Sequence, residues 1–245
     1  MNSFWKLTWV EFKLNLREPM AMFFTLIFPV MLLVLFGSMY GNEPQEFLGG
    51  FGQVDLSVPG YIGMIVGTIG MLGLPVTLAS YRQQGILRRF QATPLRPIVV
   101  LCAQVAVHVL MTALGTALLL VAGSLLFDLR PPVLSLALIP AILLAAFGFF
   151  AVGFVMAGVM PTPRTAQVVG MALFYPMLFL SGAAMPRQLM PESIQRIADF
   201  LPLTHVVKLL EELWFNGTWN LTSLLVVSAL LVGGLAITRY TFRWE

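Results

Sequence analysis

Gln104, His108, Thr112 and Thr116 recur at four-residue intervals in a run otherwise built mostly of Val, Ala, Leu and Met. That spacing sets an amide, an imidazole and two hydroxyls on one face of a helix. In an apolar surround such groups exchange hydrogen bonds, either with a neighbouring helix or with something passing along them. Tyr175, just before Pro176, adds a further hydroxyl inside an apolar stretch, and these five residues are the candidates for a translocation path. Their chemistry is recognition. The chain has no Gly-x-x-x-x-Gly-Lys-Ser/Thr phosphate loop, no His-Glu-x-x-His, no Gly-x-Ser-x-Gly and no Cys-x-x-Cys. No enzymatic centre, no metal and no cofactor bound by this chain is therefore expected. His108 and His205 lie in opposite halves of the sequence without other ligands beside them, and the single Cys102 excludes an internal disulfide.

The elements that must position these groups are apolar and long. Hydrophobic residues make up 58% of the 245 positions and charged residues 10%, a balance that excludes an ordinary water-soluble domain. Six stretches have the length a bilayer asks for: Met20 to Tyr40, Val58 to Ser80, Ile98 to Phe127, Val133 to Met160, Ala166 to Ala184 and Leu221 to Thr238. None contains Asp, Glu, Lys or Arg, so the relay groups of a proton- or sodium-coupled carrier are missing and energy is expected from a partner. With the N-terminus inside, ten of the fourteen Lys and Arg fall on inner segments, and only Arg130, Arg187, Arg196 and Lys208 fall outside. The positive-inside bias thus predicts a multi-pass protein with both termini cytoplasmic. The net charge of +3 is a topology signal, and nucleic-acid binding is not expected. The fold class expected is an all-α membrane protein: six transmembrane helices, an N-terminal interfacial helix over 1–19, and short outer re-entrant helices before the last span.

The segments between spans are not plain loops. Trp5, Trp9, Phe12 and Leu16 share one row of the N-terminal helix, beside a basic row of Lys6, Lys13 and Arg17. A polar row of Thr8, Glu11, Asn15 and Glu18 leaves a narrow strip for water, which suits a helix lying among membrane lipid headgroups. Gly41 to Ser57, with four glycines and three acids, is expected as a loop in water. Gly60, Gly63, Gly67, Gly70 and Gly73 cut a groove for a closely packed helix. The inner segment over 81–97 combines Arg82, Gln83, Gln84, Gly85, Arg88 and Arg89 with an apolar row of Ile86, Leu87 and Phe90, as a docking helix for a cytoplasmic partner would. Outside, over 185–218, Pro191-Glu192 and Thr204 to Phe215 read as two short helices separated at Pro202, with Lys208 and Glu212 spaced for an ion pair.

Three landmarks in this order resemble the transmembrane subunit of the ABC type-2 permease family: the basic amphipathic helix, the Arg82 to Leu95 segment with its Ala92-Thr93-Pro94, and the stretch from Leu180-Ser181-Gly182 to Leu201-Pro202-Leu203-Thr204. Where the family tends to carry an acid and a Thr, this chain has Gln83 or Gln84 and Ile86. The resemblance implies a permease subunit of a bacterial ATP-driven exporter in the cytoplasmic membrane, one domain over 1–245. It implies a separate ATPase holding ATP and Mg, and a second permease copy or paralogue. It makes Arg82, Gln83, Gln84, Gly85, Leu87, Arg88, Arg89 and Phe90 the ATPase-coupling residues. It also makes the Gly182 to Gly217 region an outer gate, with Gly182, Pro202, His205, Lys208 and Glu212 as candidates. The apolar spans point to a drug-like or lipid-like cargo, with a glycolipid or polysaccharide exporter, or a stand-alone carrier or channel, as alternatives.

Overall fold

A chain in hydrocarbon must close its backbone hydrogen bonds within itself, which for runs of this length means helices. The computed structural model describes residues 2–46, 49–86, 97–184, 187 and 190–241, and their only β pairing is an isolated bridge between Gln45 and Phe51. In chain order the helices are α1 (Asn2–Leu16), α2 (Pro19–Tyr40), α3 (Gln53–Gln83), α4 (Pro97–Phe127), α5 (Ser135–Val159), α6 (Pro163–Leu180), α7 (Glu192–Ala198), α8 (Pro202–Glu211) and α9 (Leu221–Thr241). Five of them, α2, α3, α4, α5 and α9, are long and apolar enough to cross a membrane. The expected fifth span corresponds to α6, which has 18 residues and begins with Pro163-Arg164, with Gln167 in its second turn, and so is less apolar than the others.

Helix α3 is the axis. In its most apolar window 78% of residues are buried, against 17% for α9, so the first is a protein-filled core and the second shows lipid most of its surface. The glycine row accounts for that depth. A Cβ on Gly70 would stand 2.8 Å from the Phe149 carbonyl oxygen, and one on Gly153 would stand 2.2 Å from that of Gly70. Only hydrogen fits where α3 crosses α5, as close backbone packing in membranes requires.

Two spans contain π-turns, Phe23–Ile27 in α2 and Ile69–Gly73 in α3, each followed closely by a proline, Pro29 and Pro75. A proline lacks the N–H that would bond the carbonyl four residues back, here Thr25 and Met71. In both cases a glycine of another helix comes up to the freed carbonyl. A Cβ on Gly115 of α4 would be 3.1 Å from the Thr25 oxygen, and one on Gly170 of α6 would be 2.6 Å from the Met71 oxygen. A third π-turn, Glu212–Asn216, continues α8 and ends at Gly217 in left-handed conformation (φ +66°).

Two expectations about water-facing groups are corrected. Helix α1 exposes Trp5 and Trp9, while Thr8 and Glu11 of its polar row are buried, because the first half of that row packs on the protein; Glu18, the last of the row, stays exposed. The Gly41 to Ser57 segment becomes helical at Gln53, and Asp55 is fully buried. It accepts from the Gly52 N–H at the helix start, and its two carboxylate oxygens gather groups from other loops.

Candidate functional site

The ends of the bundle differ in charge. One end carries α1, the start of α2, the end of α3 and the starts of α4 and α6, and is basic; the far end carries α7 and α8. At the basic end the Arg82 guanidinium turns inward and donates to the carbonyls of Ala157 (2.9 Å) and Met160, capping the last turn of α5. Gln84 Nε2 donates to Ser80 Oγ at 2.9 Å, and Gln83 closes α3 before Gly85 turns the chain with a φ of +68°. Leu87, Arg88, Arg89 and Phe90 lie outside the described residues.

Next to Arg82, the Tyr81 hydroxyl donates to Glu11 Oε2 and ties α1 to the end of α3. Burial pushes the Glu11 carboxyl above its ordinary value, while the Tyr81 hydrogen bond and the nearby Gln104 side chain pull it back down. Sequence reasoning missed this contact, because its partners are seventy positions apart.

The polar stripe of α4 is buried along its length: Gln104, His108, Thr112 and Thr116 are all under 9% exposed. Part of its capacity is spent on its own helix. His108 Nδ1 is 2.7 Å from the Gln104 carbonyl, and Thr112 Oγ1 donates to the His108 carbonyl at 2.8 Å. A carbonyl only accepts, so Nδ1 carries the proton and Nε2 is left as an acceptor. Nε2, Gln104 Nε2 and Thr116 Oγ1 have no partner within the described protein. Tyr175 stands apart, its ring 6.0 Å from that of Phe174.

A cavity of about 130 Å³ opens between the first turns of α2, the lower half of α3 and α6. Its wall is mostly Met20, Ala21, Phe24, Leu72, Val76 and Met171, interrupted by Thr25, Thr68, Thr77, Gln167 and, at its mouth, Glu18. Both proline-linked π-turns border it, through Phe24 and Thr25 on one side and Leu72 and Gly73 on the other. None of the α4 stripe lines it, although a Cβ on Gly73 would sit 3.6 Å from His108 Nε2. Three helices from distant parts of the chain converge here, which no local spacing reveals.

At the far end Asp199 is the hub. Its Oδ1 accepts from Arg187 NH2 and from Lys208 Nζ, both at 2.8 Å, and these bonds hold its carboxyl below the usual range. The expected Lys208 to Glu212 pair gives way to this one, since the break before Pro202 folds Asp199 back onto α8. Glu212 Oε2 accepts instead from Asn216 (2.7 Å) and Thr218 (3.2 Å). His205 bridges Asp199 O (2.9 Å) and Ser223 Oγ (3.3 Å), linking α8 to α9. Pro202 begins α8, and Gly182, at φ +92°, packs under the Arg187 side chain and beside Gly60. The five far-end candidates thus belong to one connected region around α7 and α8.

A second far-end cluster went unrecognised in the sequence. Asp55 Oδ1 accepts from Asn42 Nδ2 and the Arg130 main-chain N–H, both at 3.1 Å, and its Oδ2 lies 3.7 Å from Arg130 Nε. Asn42 in turn accepts from the Asp55 N–H (3.0 Å) and donates to the Phe127 carbonyl (3.0 Å). One carboxylate therefore joins the ends of α2, α3 and α4.

The chain is similar to several transport proteins. It is 28% identical over 226 residues to the daunorubicin resistance ABC transporter permease protein DrrB1 of Streptomyces coeruleorubidus, covering 89% of this chain and 76% of that one. It is 23% identical over 197 residues to the inner membrane transport permease YhhJ of Escherichia coli, covering 76% of this chain and 51% of that longer protein. It is 33% identical over 96 residues to nodulation protein J of Sinorhizobium fredii, covering 39% and 36% of the two chains. With a buried helical axis, lipid-facing spans and a match to the family's sequence model over residues 2–215, the chain belongs to the ABC-2 type transporter family, whose members are membrane subunits of ABC transporters.

Proposed function

We propose that this chain is the six-span permease of an ATP-driven exporter, with α6 as the fifth span and both termini on the cytoplasmic side of a bacterial cytoplasmic membrane. The observation that carries the reading is the basic end itself. There the Tyr81 hydroxyl at the end of α3 holds Glu11 of α1, beside the Arg82 side chain that caps α5, and Glu18 of the same end lines the cavity between α2, α3 and α6. A separate ATPase, which supplies ATP and Mg chemistry, docks on the 81–97 segment, and a second permease copy or paralogue completes the path. The outer helices α7 and α8, re-entrant at the far end, close that path around Asp199. The cargo is a lipophilic, drug-like or lipid-like molecule. The cavity's mostly apolar wall supports this class, as does the likeness to DrrB1, a daunorubicin resistance permease protein.

The test is isolation of the tagged chain in mild detergent from its host, with mass spectrometry of what accompanies it. A phosphate-loop ATPase is expected, released when Arg88→Glu and Arg89→Glu are introduced together while membrane insertion is kept. Recovery of the chain with no ATPase would overturn the exporter reading in favour of a stand-alone carrier.

A further inference from the structure

The cavity at the basic end has an electrostatic bias that its surroundings do not share. The inner segments of the sequence hold ten bases and three acids. Of those acids Glu11 is buried against Tyr81, and Glu245 lies outside the described residues. Glu18 is therefore the one exposed acid on this side among the described residues, and it stands at the mouth of the cavity. Among the described residues its neighbour Arg17 and the exposed Arg164 make no ion pair with it, and no base lines the cavity.

The interior continues the same bias in weaker form. Thr25 and Thr68 are buried yet make no hydrogen bond among the described residues, and the Gln167 amide at the rim makes none either. Hydroxyl and amide oxygens can turn lone pairs toward a positive group and demand no proton from it. Beyond them the wall is Met, Phe, Leu and Val. On α3 the lining runs from Thr77 to Thr68, about 14 Å at the rise of an α-helix, so the space is slender and reaches well into the bilayer. Its volume of about 130 Å³ is below that of a site that encloses a whole drug-sized molecule. It suits a chain that enters lengthwise and leaves its head at the mouth.

We infer that this cavity admits single-chain cationic amphiphiles from the cytoplasmic leaflet, with Glu18 as the residue that selects for their positive head group. The inference rests on the exporter reading and narrows its cargo. An alkyl chain takes the apolar wall between the two π-turns, and a quaternary ammonium head stays beside the Glu18 carboxylate. A neutral amphiphile of equal length gains the first contact and lacks the second.

The permease, isolated with its ATPase and placed in lipid nanodiscs, provides the test. ATP hydrolysis is titrated with dodecyltrimethylammonium and, separately, with the neutral N-dodecylacetamide. Wild type is expected to reach half-maximal stimulation at a lower concentration of the cation. Glu18→Gln is expected to weaken the cation's advantage roughly fivefold, the size of one ion pair at an exposed site, and Glu18→Asp to keep most of it. Met171→Trp, which fills the cavity, is expected to remove stimulation by both compounds. If Glu18→Gln shifts both compounds equally or neither, or if an active complex ignores the cation, the inference is overturned and the exporter reading stands. If no ATPase accompanies the chain, the exporter reading fails, and this assignment fails with it.

Discussion

Asp55, in the first turn of α3, and Glu11 of α1, bound to Tyr81 near the last turn of α3, are both buried carboxylates, yet they are held in different ways. Asp55, at the far end, accepts from a side-chain amide and two main-chain N–H groups, with a guanidinium close by. Glu11, at the basic end, accepts from one phenol, and burial raises its proton affinity. Removing a buried charge from water is tolerable when hydrogen bonds replace the water and costly when they do not. The far end of α3 is thus a knot of three helix ends, while the basic end carries a contact that the loss of a single proton or a small displacement can weaken. If the permease is driven from the basic end, as proposed above, a fixed far pivot and a releasable near contact divide the work of one axial helix between its two ends.

The contrast can be broken most severely at the knot. Asp55→Ala leaves the buried Gly52 N–H and the part-buried donors of Asn42 and Arg130 without their acceptor and should cost about 1–3 kcal/mol for each donor that water cannot reach. Thermal unfolding in detergent should show it as a large fall in midpoint or a loss of folded yield. Next in size is Tyr81→Phe, which strands Glu11 and should cost about 1–3 kcal/mol. Faster hydrogen exchange across α1, without change around Asp55, would confirm that the two ends are separately held.

Smaller effects follow from protonation. Glu11 holds its proton more tightly in the fold than in the unfolded chain, where its value is near the ordinary 4.5. Its contribution is therefore complete below 4.5 and declines as pH rises through the raised folded value. Protection of α1 should fall over that interval, and Glu11→Gln should flatten the profile. The far end has a counterpart in Glu211, which burial raises to about 7 against the opposing pull of Arg187 and Lys208, with Glu212 adding to the rise. Its stabilising protonation is complete below 4.5 and lost as pH passes about 7. Exchange in α8 should quicken slightly across that range, and Glu211→Gln should abolish the trend. If Asp55 variants showed a weaker effect than Tyr81→Phe, the division into pivot and release would be wrong.

Much of the scaffold was legible in the sequence because lipid imposes a simple rule: long apolar runs became helices, and the glycine row became the place where α3 meets its neighbours. The groups that hold the ends were less legible. Asp55 reads as one acid in a glycine-rich segment, and only the distant Asn42 and Arg130 reveal that it is enclosed. Glu11 fits a water-facing row by spacing, but spacing cannot tell water from another helix. Lys208 and Glu212 satisfy the four-residue rule, and Asp199 wins because a proline break brings it nearer. The polar stripe of α4 was found by period alone, whereas the cavity needed three helices to converge.

The two proline-linked π-turns carry one more implication. A π-turn holds one residue more than the α-turn it replaces, and each α-helical residue occupies about 100° of rotation. Drawing either turn back into α geometry would swing the adjoining half of its span by about that angle while leaving the span intact. Thr25 would leave the cavity wall in one case and Gly73 in the other, and the glycines opposite, Gly115 and Gly170, offer a smooth surface for such a turn. The same pair of segments that shapes the cavity is thereby a pair of axles, able to present or withdraw its lining by rotation alone.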